Sequence, residues 1–130
     1  MSQILLFFTM VNINMKPYKF DLMNDCQWLV VDESHSKIEI TNAFCDSAFD
    51  EYFVTHSCIV IKFINESGMI KLISNFTETI SWNEGAIDKS MKKIQLDYSH
   101  NIPRGCTKIK VCIQNKKAID YKISIAIGLI

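Results

Sequence analysis

The segment Met91–Ile113, MKKIQLDYSHNIPRGCTKIKVCI, decides the fold class of this chain. Apolar residues alternate with polar ones on each side of a central corner: Ile94, Leu96 and Tyr98, then Ile109, Val111 and Ile113. Because side chains alternate across a strand, this period of two predicts two half-buried strands. Between them, Pro103 cannot donate to a strand ladder, and Gly105 can adopt backbone conformations that other residues avoid. The segment therefore predicts a strand, a corner and a second strand.

The rest of the chain shows the same pattern. Residues 57–65, SCIVIKFIN, are apolar on both faces, which predicts a central strand. Residues 26–32, CQWLVVD, are mostly apolar and also predict a central strand, and residues 4–12 predict a first strand. Aromatic residues recur at helical spacing over 42–54, which indicates one short helix, although the end of this segment also suits a strand.

These patterns predict an all-β chain with about nine strands and at most one short helix. Short turns between alternating strands are typical of an antiparallel β-sandwich or a partly closed barrel, and we expect the sandwich. The length of 130 residues predicts a single domain over residues 1–130. No segment approaches the roughly 20 apolar residues that a membrane-spanning helix needs.

Charge is unevenly distributed although the formal net charge is zero. Residues 1–65 hold four lysines against eight acidic residues, whereas residues 66–130 hold ten basic residues against six acidic ones. Nucleic-acid binders are usually basic overall, and no aromatic residues interleave the lysines as base-stacking sites require. We therefore expect no nucleic-acid partner; the halves either attract each other or present a basic face to an anion.

Five cysteines occur at irregular spacing, and no CxxC pair is present. Cys106 and Cys112 share a strand face but lie about 20 Å apart along it, too far to bridge. A free cysteine in an apolar run behaves as a small hydrophobic residue. The cysteines are therefore interpreted as reduced thiols, which predicts a cytoplasmic location.

The most coherent candidate site is basic. Lys93, Lys108 and Lys110 point outward from the two arms of the opening segment, and Arg104 lies at the corner between them. If the arms pair, their side chains form one positive patch that binds a phosphate-like anion or an acidic partner. The alternative is a charged face that keeps the sheet soluble and its edge unpaired.

The sequence signals for a catalytic or metal site are incomplete. His56 and Cys58 make an HxC pair that suits a thiol nucleophile and its base, but no orienting Asn or Asp is evident. Loops of a β-sandwich can bring the acidic residues of the first half together around calcium, but the usual calcium-loop motif is missing, and no ligand spacing for zinc occurs. Signatures of common enzymes, such as GxSxG, HExxH and the P-loop, are missing. We therefore expect no enzymatic activity, no catalytic residues, no cofactor and no metal site.

Two segments resemble the bacterial TerD-like family of tellurium-resistance and stress proteins. Residues 18–38, YKFDLMNDCQWLVVDESHSKI, are similar to its aspartate-containing FDLD segment followed by a strand. Residues 88–113 are similar to its strand, proline turn and strand. The resemblance covers about a third of the chain and implies a β-sandwich in a calcium-responsive stress protein. Only Asp21 matches the aspartates that carry calcium in that family.

Three functional hypotheses follow. The leading one is a non-enzymatic binding module that engages a protein partner or an anionic ligand, with homo-oligomerisation as a further expectation. The second is a calcium-responsive stress protein of the TerD-like kind. The third is a structural subunit of a viral or other assembly.

Overall fold

The architecture was obtained from a computed structural model that describes residues 15–46, 51–65, 76–116 and 120–130. Within these residues, nine strands form two antiparallel sheets. In spatial order, the five-stranded sheet contains β1 (Met15–Asp21), β9 (Lys122–Leu129), β3 (Lys37–Cys45), β7 (Lys93–Asn101) and β6 (Ala86–Asp88). The four-stranded sheet contains β2 (Cys26–Val30), β8 (Lys108–Asn115), β4 (Ser57–Ile64) and β5 (Phe76–Ser81). The prediction of an all-β sandwich is confirmed.

The two sheets enclose one apolar cluster built from the inward residues of each strand. The opening segment supplies its predicted inward residues to this cluster, and all of them except the half-buried Tyr98 are buried. Burying one such side chain stabilises the fold by about 1.5–3 kcal/mol. The fully buried aliphatic residues include Ile38, Ile40, Ile59, Ile61, Ile94, Ile109, Val111 and Ile125.

The corner of the opening segment is a tight turn that transfers the chain between sheets. The amide of Cys106 donates to the carbonyl of Pro103 at 3.1 Å, and Gly105 has a φ of 89°. A positive φ at the third residue of such a turn favours glycine, since other residues carry a Cβ that clashes there. The chain enters the corner from β7 in the five-stranded sheet and leaves it into β8 in the four-stranded sheet.

Two further predictions concern strand positions. β4 lies between β8 and β5, so its predicted central position is confirmed. The predicted central position of CQWLVVD is wrong, because β2 is an edge strand that pairs with β8 alone among the described strands. Its apolar residues are divided between the core and an exposed outer face, with Leu29 buried and Val30 exposed.

Within the described residues, the one α-helix is shorter and begins later than the sequence pattern indicates. Residues 42–45 still belong to β3, and α1 spans Glu51–His56 before β4 begins. Phe44, the aromatic residue at the end of β3, follows strand alternation and is exposed between two buried neighbours. The strand predicted over residues 4–12 lies outside the described residues.

Trp82 anchors the junction of α1 with the core. It is fully buried in a short 3-10 turn (Trp82–Glu84) that follows β5. Its indole Nε1 donates to Ser57 Oγ at 2.8 Å, and Ser57 Oγ donates to the carbonyl of Phe53 at 2.6 Å. A buried indole N–H needs such a partner, since leaving it unpaired is costly. No helix among the described residues has the length and apolar character required to cross a membrane.

Candidate functional site

The predicted basic patch is divided between the two sheets. Lys93 lies on β7 and Lys108 and Lys110 lie on β8, and these strands belong to different sheets. The arms of the opening segment therefore do not pair, and the expectation of one continuous patch across them is wrong. The corner turn at Pro103–Cys106 explains the difference, because it carries the chain across the sandwich instead of folding it back as a hairpin.

The outer face of the four-stranded sheet brings together the coherent part of the basic set. Trp28 on β2 lies directly opposite Lys110 on β8, and Lys108 lies opposite Val30. The ammonium Nζ of Lys110 is 5.3 Å from the centroid of the Trp28 ring, and that of Lys108 is 5.8 Å away. Lys62 on β4 lies opposite Lys110 on its other side. We call this group of residues, Trp28, Val30, Lys62, Lys108 and Lys110, the Trp28 face.

The Trp28 face combines exposed apolar surface with positive charge. Trp28 is 52% exposed and Val30 is 74% exposed, which is unusual for residues of this size. Each cation is attracted by the quadrupole of the indole ring, so the ring holds two ammonium groups close together despite their mutual repulsion. An anion placed beside Trp28 meets both charges at once. Such a face suits a carboxylate-bearing or phosphate-bearing partner.

Lys93 occupies a different electrostatic setting on the opposite outer face. Its Nζ is 5.6 Å from the centroid of the exposed Phe44 ring, and it lies directly opposite Asp88 on β6. The pKa of Asp88 is lowered, first by a hydrogen bond from the Ser90 side chain and more weakly by the charge of Lys93. The positive charge of Lys93 is therefore offset by a neighbouring carboxylate.

Arg104 lies at a third location, in a cleft of about 740 Å³ between the loops that precede β3 and β8. The cleft is also lined by Asp32, Glu33 and His35, so its charge is mixed. Asp32 accepts hydrogen bonds from the hydroxyl and the amide of Ser34, which lower the pKa of its carboxyl group. The structure therefore places Arg104 apart from Lys108 and Lys110, in surroundings less suited to an anion.

The candidate thiol pair is not arranged for catalysis. The Nδ1 of His56 lies 2.9 Å from both the carbonyl of Tyr52 and the hydroxyl of Thr55, and its ring stacks on Tyr52. The Sγ of Cys58 contacts Gln114 instead, at 3.9 Å. Burial raises the pKa of the Cys58 thiol, which disfavours the thiolate that a nucleophile needs.

Asp21 has a local structural role at the end of β1. One oxygen of its carboxylate accepts hydrogen bonds from the amides of Met23 at 2.9 Å and Asn24 at 2.8 Å. This arrangement is typical of an aspartate that closes a turn. Among the described residues, no three His, Cys, Asp or Glu side chains group closely enough to hold a metal ion. The resemblance to TerD-like proteins stays a prediction.

Two cysteines are joined, contrary to the expectation of reduced thiols throughout. Cys26 on β2 and Cys112 on β8 lie directly opposite each other and form a disulfide, next to the Trp28–Lys110 pair. Cys106, which the spacing kept apart from Cys112, is buried in the corner, where its thiol donates to the carbonyl of Lys108. The pairing depends on strand register between distant segments, and no spacing rule in the sequence reports that register.

Sequence reasoning also missed Trp28. Its segment was interpreted as a central strand, in which a tryptophan is a core residue. The one available signal was the alternation of Cys26, Trp28 and Val30 with Gln27 and Leu29, which puts Trp28 and Val30 on a single face.

Comparisons with known proteins give no family. No protein-family model matches the chain, and no curated protein matches it. One solved structure with a similar fold is Drosophila NLP-core, described in terms of pentamer formation and histone binding, with 8% identity and a TM-score of 0.46 over 89% of this chain and 97% of that one. Another is the enzymatically active domain of tailspike protein 4 of bacteriophage CBA120, with 13% identity and a TM-score of 0.43 over 90% of this chain and 19% of that one. Neither likeness carries an argument about this chain.

Proposed function

We propose that this protein is a non-enzymatic binding module that engages an acidic protein partner through the Trp28 face. The observation that carries the proposal is the exposed Trp28 ring with the ammonium groups of Lys108 and Lys110 at 5.8 and 5.3 Å from its centroid. Exposed tryptophans are enriched among the residues that anchor protein interfaces, and the lysines beside Trp28 supply the positive charge that complements an acidic partner.

The charge pattern of the face favours an anionic partner over a neutral one. Lys62 and Lys110 lie directly opposite each other, and like charges in this position destabilise a sheet. A bound carboxylate relieves that repulsion and gains two or three attractive interactions at once. These interactions weaken with salt, because the groups are exposed to solvent.

The site is proposed to consist of Trp28, Lys108 and Lys110, with Lys62 at its border. Lys93 and Arg104, which the sequence adds to the same patch, are left outside it by their positions on the other sheet and in the loop cleft. Self-assembly into an oligomer and a structural role in a larger assembly stay predictions. A cytoplasmic location also stays a prediction, and the Cys26–Cys112 disulfide weighs against it, because such bonds persist mainly in oxidising compartments.

The test uses a short glutamate-rich peptide as the probe and compares two charge reversals. The double change Lys108→Glu and Lys110→Glu should weaken binding by about tenfold or more at low salt, because both attractive charges become repulsive. Lys93→Glu is the matched control: it also reverses a lysine that lies over an aromatic ring, and binding should change by no more than about twofold.

Binding is followed through the fluorescence anisotropy of a labelled peptide. Trp28→Ala should weaken binding as well. The fluorescence emission of the buried Trp82, which this variant retains, checks that the variant is folded. Equal losses for the Lys93 variant and the double variant would contradict the proposed site. Absence of peptide binding at millimolar concentration would contradict the proposed function.

A further inference from the structure

The strand that carries Trp28 has one edge with no partner among the described strands. β2 pairs only with β8, through a register that runs from Cys26 opposite Cys112 to Val30 opposite Lys108. The carbonyl of Asp25 accepts from the amide of Ile113 at 2.7 Å, and the amide of Val31 donates to the carbonyl of Thr107 at 3.0 Å. These two bonds fix which residues of β2 turn their backbone toward β8.

Backbone groups in an antiparallel pair alternate between the two edges of a strand. Since Asp25 and Val31 bond to β8, Gln27 and Leu29 between them do the same. The amides and carbonyls of the three intervening residues therefore point away from β8 toward the open edge. These residues are Cys26, Trp28 and Val30.

The open edge of β2 lacks two features by which natural sheets prevent edge pairing, which are a charged residue and a proline on the edge strand itself. β1, the edge strand of the other sheet that contacts β2, carries the exposed residues Lys16, Pro17 and Lys19. Lysines and prolines at an edge discourage a further strand, because a lysine repels an apolar strand and a proline offers no N–H. β2, CQWLV, contains no charged residue and no proline, so its edge is competent to accept another strand.

The side chains beside this edge specify the chemistry of such a strand. The ammonium groups of Lys108 and Lys110 start on β8 and extend over the Trp28 ring, that is, toward the open edge of β2. On an added strand, side chains on the outer face lie beside Trp28 and Val30 and within reach of these charges. Carboxylates at alternate positions of the added strand complement the two lysines.

We propose that β2 binds an acidic partner segment as an added antiparallel strand, with its acidic side chains on the Trp28 face. This inference rests on the proposed function and specifies the form of the partner. Strand addition uses backbone hydrogen bonds for affinity and alternate side chains for specificity. The outward amides of Trp28 and Val30 supply the backbone hydrogen bonds, and Lys108 and Lys110 supply the specificity.

The test uses a peptide of alternating Glu and Val and two N-methylated versions of it. The peptide residue opposite Trp28 has its side chain on the same sheet face as Trp28 and turns its own amide and carbonyl toward β2. Because the glutamates are expected on this face, their amides bond to β2. Methylating the glutamate amides should weaken binding by about tenfold or more, whereas methylating the valine amides should leave affinity within about twofold.

Hydrogen exchange of the protein amides gives an independent readout. The peptide should slow exchange at Trp28 and Val30 by about tenfold or more, and leave Gln27 and Leu29, already bonded to β8, nearly unchanged. Equal affinity of both methylated peptides, or no new protection at Trp28 and Val30, would overturn the added strand.

The same peptides separate this inference from the function on which it rests. A matched peptide with Gln in place of Glu should bind more weakly; if it binds equally well, the proposed acidic partner is wrong. If the acidic peptide is preferred but methylation has no effect, the function stands and strand addition fails. Protection of Trp28 and Val30 that rises with protein concentration in the absence of peptide would assign the edge to a second copy of this chain and overturn the inference.

Discussion

The outer faces of the two sheets look alike in sequence and differ in their charge. On the five-stranded sheet Lys93 lies over Phe44 and opposite Asp88, whereas on the four-stranded sheet Lys110 lies over Trp28 and opposite Lys62. Both faces therefore combine a lysine with an exposed aromatic ring. Their electrostatic character is set by the residue across the strand, which is an acid in one case and a second base in the other. Lysines close together in sequence do not define a patch until the cross-strand neighbours are known.

The faces also differ in how their edge strands are held. β2 is fixed to its neighbour by the Cys26–Cys112 disulfide, and the structure describes no such bond for β1, which pairs with β9 through backbone bonds along its length. The disulfide lies in the same row of cross-strand pairs as Trp28 and Lys110. It therefore holds the binding strand against the strand that carries the lysines.

Removing the Cys26–Cys112 disulfide should have the largest effect on the stability of the protein. The double change Cys26→Ala and Cys112→Ala releases a cross-link between residues 86 apart in sequence. The chain-entropy estimate for a loop of this length gives a loss of at most about 4–5 kcal/mol in the free energy of unfolding. Denaturant unfolding under non-reducing conditions measures the loss. Cys58→Ala, which removes a thiol and its contact with Gln114 from the same sheet but no cross-link, is the control and should cost far less. An equal loss of stability in the two variants would contradict the cross-link.

A smaller effect is expected beside Lys93. Lys92 has a φ of 52°, a left-handed conformation that costs a non-glycine residue about 1–2 kcal/mol. Lys92→Gly removes this strain but adds the flexibility of glycine to the unfolded chain, so a net gain of about 0.5–1 kcal/mol is expected. The gain is reduced if the bond from Lys92 Nζ to the carbonyl of Asp46 contributes to stability. Thermal unfolding measures it, and Lys89→Gly in the same turn, which relieves no positive φ, should destabilise instead.

Single charge reversals should have the smallest effects, and the two faces should respond to different degrees. Lys110→Glu and Lys93→Glu both remove the attraction between a lysine and an aromatic ring. Lys110→Glu also replaces repulsion from Lys62 with attraction, whereas Lys93→Glu places a carboxylate opposite Asp88, so the Lys93→Glu variant should be the less stable of the two by about 0.5 kcal/mol or more. Unfolding in low salt compares them, and equal or reversed stabilities would contradict the assigned cross-strand neighbours.

The pH dependence sharpens this last comparison. The pKa of Asp88 is lowered in the folded protein, so its contribution to stability is present above the ordinary pKa of an aspartate and is lost as the pH falls through the lowered value. The deficit of the Lys93→Glu variant should therefore shrink over that range. The Lys110→Glu variant loses its attraction to Lys62 only when its own new carboxylate is protonated.

The period of two in the sequence predicted which residues of the opening segment face the core, because alternation is a local property of a strand. It did not predict that β7 and β8 lie in different sheets, since a turn of the kind formed by Pro103–Cys106 can close a hairpin or cross a sandwich. The positions of Trp28 and of the disulfide depend on strand order and register. Both are set by packing between segments far apart in the chain, which no local pattern encodes.

The order of strands in the five-stranded sheet has a consequence for synthesis of the chain. β9 lies between β1 and β3, so neither strand obtains this neighbour until residues 122–129 have emerged from the ribosome. At usual translation rates β1 waits roughly 5–20 s for its partner. During that time the lysines and the proline of β1 keep it from associating with other chains. The residues that protect an edge in the finished sheet thus also protect a nascent strand that has not yet found its sheet.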